Sequence, residues 1–214
     1  MYISYKHDIV MIAILTGDIK ESRKVPAKIW MQLLKTELDT WGKAGKDWEI
    51  YRGDSFQLKV AEPEKALQAA IRLKAGIKSQ APLDIRIGIG LGEEDFRTGR
   101  LLENNGTAYV HSGEAFEELS ESHQDILIKS PFEGFDQDIN LMLKLAMEIL
   151  DTWTEHSAKT VYLAMTHPEK TQTALGKLEG ISQHAISGRL SRARFDAIRA
   201  LLVYFPLKLK RHLS

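Results

Sequence analysis

Residues 9–15, Ile-Val-Met-Ile-Ala-Ile-Leu, form an unbroken apolar run rich in β-branched side chains. A run of this kind reads as a strand buried on both faces, so the residues that follow must build a sheet around it. It ends in Thr16-Gly17-Asp18, well short of the ~18 apolar residues a membrane span requires. No other segment of the 214-residue chain comes closer. The apolar start also lacks the small-residue cleavage site of a secretory signal. No membrane partner is expected, and the expected location is the cytoplasm.

The first 130 residues alternate strand and helix signals. Pro26 suits the first turn of a helix, and Ile29, Trp30, Leu33, Leu34, Leu38 and Trp41 fall on one stripe at helical spacing. Residues 48–51 and 56–60 are short strands about the turn Arg52-Gly53-Asp54-Ser55, a hairpin signature. Pro63 opens a second helix with Leu67, Ala70, Ile71, Leu73 and Ile77 inward, and Pro82 ends it. Residues 84–91 alternate as a fourth strand, in which Gly88 and Gly90 imply that another backbone or a ligand comes close. Residues 108–119 read as a third helix and 126–128 as an edge strand. The order predicts an α+β sheet with helices packed on one face.

Everything after residue 134 reads as helix. Residues 136–153 are apolar almost all round, including Ile139, Leu141, Leu145, Met147 and Trp153. That predicts a helix buried on several sides, between domains or against a second copy of the chain. The expected organisation is an α+β domain over 1–133, a connecting or dimerisation helix over 134–155, and an all-α domain over 156–214.

The formal net charge of zero conceals a partition. Residues 1–155 carry 19 basic against 26 acidic side chains; residues 156–214 carry 10 against 3. A basic module of this size commonly meets nucleic acid, although a basic face docked on the acidic body has the same charge pattern. There is no cysteine, which excludes disulfides, thiolate zinc sites and thiol nucleophiles.

The basic segment has the grammar of a helix-turn-helix. Residues 171–178 predict a helix with Ala174, Leu175 and Leu178 inward. Glu179-Gly180-Ile181 is a turn with glycine where a left-handed residue is needed, and Ser182 caps the next helix. In that helix Ile186, Leu190 and Ala193 share the inner face. Gln183, His184, Ser187, Gly188 and Ser191 are small or polar and face outward, as entry into a major groove requires. Arg189, Arg192 and Arg194 are expected to reach phosphates. The expected partner is double-stranded DNA, read by a homodimer through residues 136–153, the apolar end of the tail, or both. The alternative is a three-helix packing unit with a solvated arginine face.

Two carboxylates stand out in the first domain. Asp18 follows the first strand and Asp54 sits in the hairpin turn; if the hairpin pairs beside that strand, both meet at one end of the sheet. Two carboxylates there are suited to a weakly held Mg²⁺, with Lys20, Arg23 and Gly53 against the phosphates of a nucleotide. Plain turn chemistry at both positions is the competing account.

Leu15-Thr-Gly-Asp-Ile19, Gly53-Asp-Ser-Phe-Gln57, Arg86-Ile-Gly-Ile-Gly90 and Gly106-Thr-Ala-Tyr109 occur in the order found in the SatD-like family. They also resemble the catalytic core of class III nucleotide cyclases and GGDEF domains. The resemblance implies a ferredoxin-like, nucleotide-cyclase-like palm followed by a helix-turn-helix, with Asp18 and Asp54 as metal ligands. Arg52 and Ser55 stand where GGDEF has glycine and glutamate. Val110 and Glu114 stand where cyclases carry asparagine and arginine. The groups that stabilise a cyclase transition state are therefore absent from these positions, and no catalytic residue is assigned.

The leading expectation is a DNA-binding transcriptional regulator with a ligand-sensing head that is not an enzyme. A metal-dependent nucleotidyl transferase or cyclase is the first alternative, and a non-catalytic dimerisation module the second.

Overall fold

The computed structural model describes residues 11–80, 82–95 and 98–213. Five strands, β1 (Met11–Lys20), β2 (Trp48–Tyr51), β3 (Ser55–Val60), β4 (Asp84–Glu93) and β5 (Ile126–Lys129), make one sheet in the order β2-β3-β1-β4-β5. Every neighbouring pair is antiparallel except β4–β5. Ile9 and Val10 of the expected first strand lie outside the described residues. The remainder of that run is flanked by β3 and β4 and buried on both faces, as its composition requires.

Helices lie on both faces, which corrects the expectation of one covered face. α1 (Ala27–Asp39) and α2 (Ala66–Lys78) share a core with Ala13, Leu15 and Ile19 of β1. α3 (Thr107–Ser122) packs on the opposite face, where Ala108 meets Ile12 and Ile14. The physical reason lies in β4. Gly88 and Gly90 present no side chain on that face, so the α3 backbone settles directly on the strand. A Cβ at Gly90 would stand 2.2 Å from the Ala108 carbonyl oxygen, and one at Gly88 would stand 2.4 Å from the Phe116 nitrogen. The close neighbour of these glycines is a backbone.

The chain continues through α4 (Glu133–Leu150), α5 (Glu155–Thr166), α6 (Gln172–Glu179), α7 (Gln183–Arg192) and α8 (Phe195–Leu213). One hydrophobic cluster extends from the sheet through Phe135, Ile139, Leu143 and Leu150 of α4. It continues to Val161 of α5 and to Ile198, Phe205 and Leu209 of α8. All three expected segments therefore contribute to a common core.

α4 buries one broad face rather than several sides: Phe135, Ile139, Leu143, Ala146, Met147 and Leu150 are buried, and Met142 and Ile149 pack half-buried against the same core. Leu141 and Leu145 are exposed on the far side, among Asp138, Lys144 and Glu148. Ile29 and Leu178, also expected inward, are exposed. In each case apolar character marked a candidate for burial, but neighbouring elements decided which arc of the helix was covered.

A buried polar junction ties α5 to the sheet helices. Glu37 of α1 is fully buried. It accepts hydrogen bonds from Trp41 Nε1, Arg72 Nη2 and the Tyr162 hydroxyl, each at 2.9 Å. Burial, then the Glu37 charge, pushes the Tyr162 hydroxyl's pKa well up.

Candidate functional site

The α5–α7 unit is built as its local sequence dictates. Thr171 caps α6 by accepting from the Ala174 N–H, and Ser182 caps α7 by accepting from the Ala185 N–H. Gly180 ends α6 at φ 74°, the left-handed conformation that glycine adopts without steric cost. The turn closes tightly: the Ile181 N–H donates to the Gly176 carbonyl at 2.9 Å. A Cβ at Gly176 would come within 2.6 Å of the Ile181 oxygen, so this second glycine is also required. Ile186 and Ala193 are buried beneath α7, with Leu190 half-buried.

On the outer surface of α7, Gln183, His184, Ser191, Arg192 and the following Arg194 are exposed, and Ser187 and Gly188 are half-buried. Gln183 Nε2 donates to Gln172 Oε1 at 2.9 Å, linking the starts of α6 and α7. Gly188 faces open space except for the Arg192 guanidinium, 3.3 Å from a hypothetical Cβ. Arg189 stands apart. Its Nη1 donates to Glu179 Oε1, whose side chain is buried and whose Oε2 accepts from the Thr160 hydroxyl at 2.9 Å. Arg189 thus braces α7 against α5 and α6, and the outward cations of this surface are Arg192 and Arg194.

In the sheet domain, the β1–β3 register pairs Asp18 with Ser55, and the Ile19 N–H donates to the Asp54 carbonyl at 3.1 Å. Residues 18 and 54 therefore share one end of the sheet. Their side chains have other partners. Arg86, opposite Asp18 in the β1–β4 ladder, donates from Nε to Oδ1 at 3.0 Å and from Nη2 to Oδ2 at 2.5 Å. These hydrogen bonds raise the pKa of Arg86. Asp54 accepts from the Ser22 hydroxyl at 2.6 Å, and Lys20 donates to Asp125 at 2.9 Å. Arg23 is exposed, and Gly53 has φ 93° at the hairpin tip. A cation at this end would compete with Arg86 for both Asp18 oxygens, so the residues as arranged fit a divalent metal poorly.

A second acidic cluster was not legible in the sequence. Asp84, Asp125 and Asp151 bring carboxylate oxygens within 4.8 Å of one another. The Lys74 ammonium, fully buried, lies 2.8 Å from Asp84, 2.8 Å from Asp125 and 3.8 Å from Asp151. Burial pulls its pKa down, but Asp84 and Asp125 more than reverse this and leave it raised. The cluster is an internally compensated ion network.

No protein-family model matches the chain, and no curated protein matches it. Among the described residues, no helix is long and apolar enough to cross a membrane.

Sequence reading missed Arg86 and Lys74 as partners. Arg86 carried a usable signal: it occupies an alternating position of the same strand as Gly88 and Gly90. Only the strand register sets it across from Asp18. Lys74 had no such signal, since it sits inside an apolar helix stripe.

Proposed function

We propose that this protein binds duplex DNA through α5–α7 acting as a helix-turn-helix, with α7 entering the major groove. The observation that carries this reading is the capped α7 helix following the Gly180 turn, with Gln183, His184, Ser191, Arg192 and Arg194 outward. The segment's surplus of basic over acidic side chains supports it, because phosphate contacts dominate the affinity of such proteins. His184 and Gln183 at the start of the helix are positioned for base edges, while Arg192 and Arg194 serve phosphates.

The sheet domain suits a ferredoxin-like, nucleotide-cyclase-like palm: β1-α1-β2-β3-α2-β4 has the strand order β2-β3-β1-β4. Arg52, at the place of the first GGDEF glycine, has φ 52°, a conformation that glycine adopts readily. We read this domain as a scaffold derived from such a palm, serving a regulatory role for α5–α7. Binding of a nucleotide at Lys20, Arg23 and Gly53 is the accompanying proposal, and the Asp18–Arg86 pair weighs against catalysis there.

The test uses the full chain against a pool of random-sequence duplexes at several salt concentrations. Salt-sensitive binding is expected. Arg192→Gln with Arg194→Gln should weaken it and reduce the slope of log K against log salt by about one for each phosphate no longer neutralised. Absence of salt-sensitive binding to any duplex would overturn the reading.

A further inference from the structure

We infer that the outward face of α8 is a self-pairing seam, on which two copies of this chain associate antiparallel about a two-fold axis at Val203. The inner arc of α8 is taken up by Phe195, Ile198, Phe205 and Leu209 in the common core. Its opposite arc carries Val203, 62% exposed, and Leu207, 55% exposed. Together with Asp196, Arg199, Ala200 and Tyr204 these residues line a shallow hollow of about 550 Å³.

The occupant follows from the spacing along this arc. Asp196, Val203 and Lys210 repeat every seven residues, with Arg199, Ala200 and Leu207 between them, so all lie on one helical stripe. Asp196 and Lys210 are each seven residues from Val203, about 10 Å along the axis. Antiparallel pairing centred on Val203 therefore sets Val203 against its own copy and Asp196 against the other copy's Lys210, twice by symmetry. It also sets Arg199 against Leu207, where the aliphatic stem of the arginine covers the leucine. Asp196 is fully exposed, with an Arg199 guanidinium nitrogen at 3.9 Å. Parallel pairing would instead oppose Asp196 to Asp196.

The exposed Leu141 and Leu145 of α4 are the competing patch, where Asp138 is already paired with Lys208 of α8 at 2.7 Å. Association does not depend on the DNA-binding reading. If that reading holds, the axis through Val203 relates two α7 helices and predicts a two-fold symmetric site.

The experiment measures the mass of the purified full chain by sedimentation across a dilution series, with no DNA present. The wild type is expected to dimerise. Val203→Glu should raise the dissociation constant by more than about 100-fold, because it buries opposed carboxylates at the axis. Asp196→Lys and Lys210→Glu should each weaken pairing about tenfold, and the double exchange should recover most of the loss. Circular dichroism checks that each variant is folded. A monomeric wild type at all concentrations would overturn the inference. So would an unchanged mass for Val203→Glu, an absence of recovery in the double exchange, or a dimer broken by Leu141→Glu with Leu145→Glu instead.

Discussion

Arg86 stands directly across from Asp18 in the β1–β4 ladder and holds both oxygens of its carboxylate. The aspartate that the sequence offers as a metal ligand is thus committed to a guanidinium from a neighbouring strand. A two-point pair of this kind is geometrically specific, and an ammonium or a loosely held cation does not reproduce it.

One expected outcome is that millimolar Mg²⁺ alone leaves the wild-type melting temperature unchanged, whereas Arg86→Gln makes it rise with Mg²⁺. The substitution releases Asp18 beside Asp54, so the cation gains the oxygens that Arg86 held. Thermal melting with and without Mg²⁺ reads this directly. A Mg²⁺-dependent rise in the wild type of the same size would show that Arg86 does not compete for the site.

Lys74→Met should destabilise the fold by about 3 kcal/mol at neutral pH, because it leaves Asp84 and Asp125 buried together without their shared cation. The pH dependence should also change sign. In the wild type, burial pushes the Asp84 pKa up, but Lys74 and Lys78 hold it below its ordinary 3.8. A carboxyl depressed in the folded state stabilises above its unfolded pKa, and that stability is lost as pH falls from about 3.8 through the lower folded value. Lys74 is raised above 10.5, so its contribution is complete below 10.5 and is lost as pH rises through the higher folded value. Without the ammonium, protonation relieves the opposed carboxylates, and the variant should recover part of its deficit as pH falls toward 4. Urea unfolding of both proteins across this range measures the crossover.

Gly188→Ala should separate stability from binding. Within the protein the new methyl meets only the flexible end of Arg192, so the helix should gain about 1 kcal/mol. If α7 lies in the groove with DNA against Gly188, duplex affinity should fall even as the urea midpoint rises. Equal affinity in the more stable variant would place the DNA elsewhere on the tail.

Much of this architecture was legible along the chain because its signals are local. A β-branched run, two prolines at helix starts, an Arg-Gly turn and a Thr or Ser cap each act within a few residues, and the elements follow them closely. Gly180 and Ser182 delimit α6 and α7 for the same reason: cap and turn geometry depend on the backbone groups nearest to them. The basic surplus after residue 155 is likewise a property of composition alone.

What tertiary structure decided are relationships between residues distant in sequence. Gly88 and Gly90 announced a close neighbour, but only the packing of α3 made it a backbone and placed a helix on the second face. Arg189 suits a phosphate by its position along α7, yet Glu179, carried on a different helix, holds it. Asp18 read as a metal ligand, Lys20 as a phosphate contact and Lys74 as nothing in particular, whereas strand register and helix docking assigned them to Arg86, Asp125 and a buried ion network. The physical reason is common to all of these. Propensity and periodicity act over a few residues, whereas pairing of charges and closeness of packing depend on which distant elements share the low-dielectric interior.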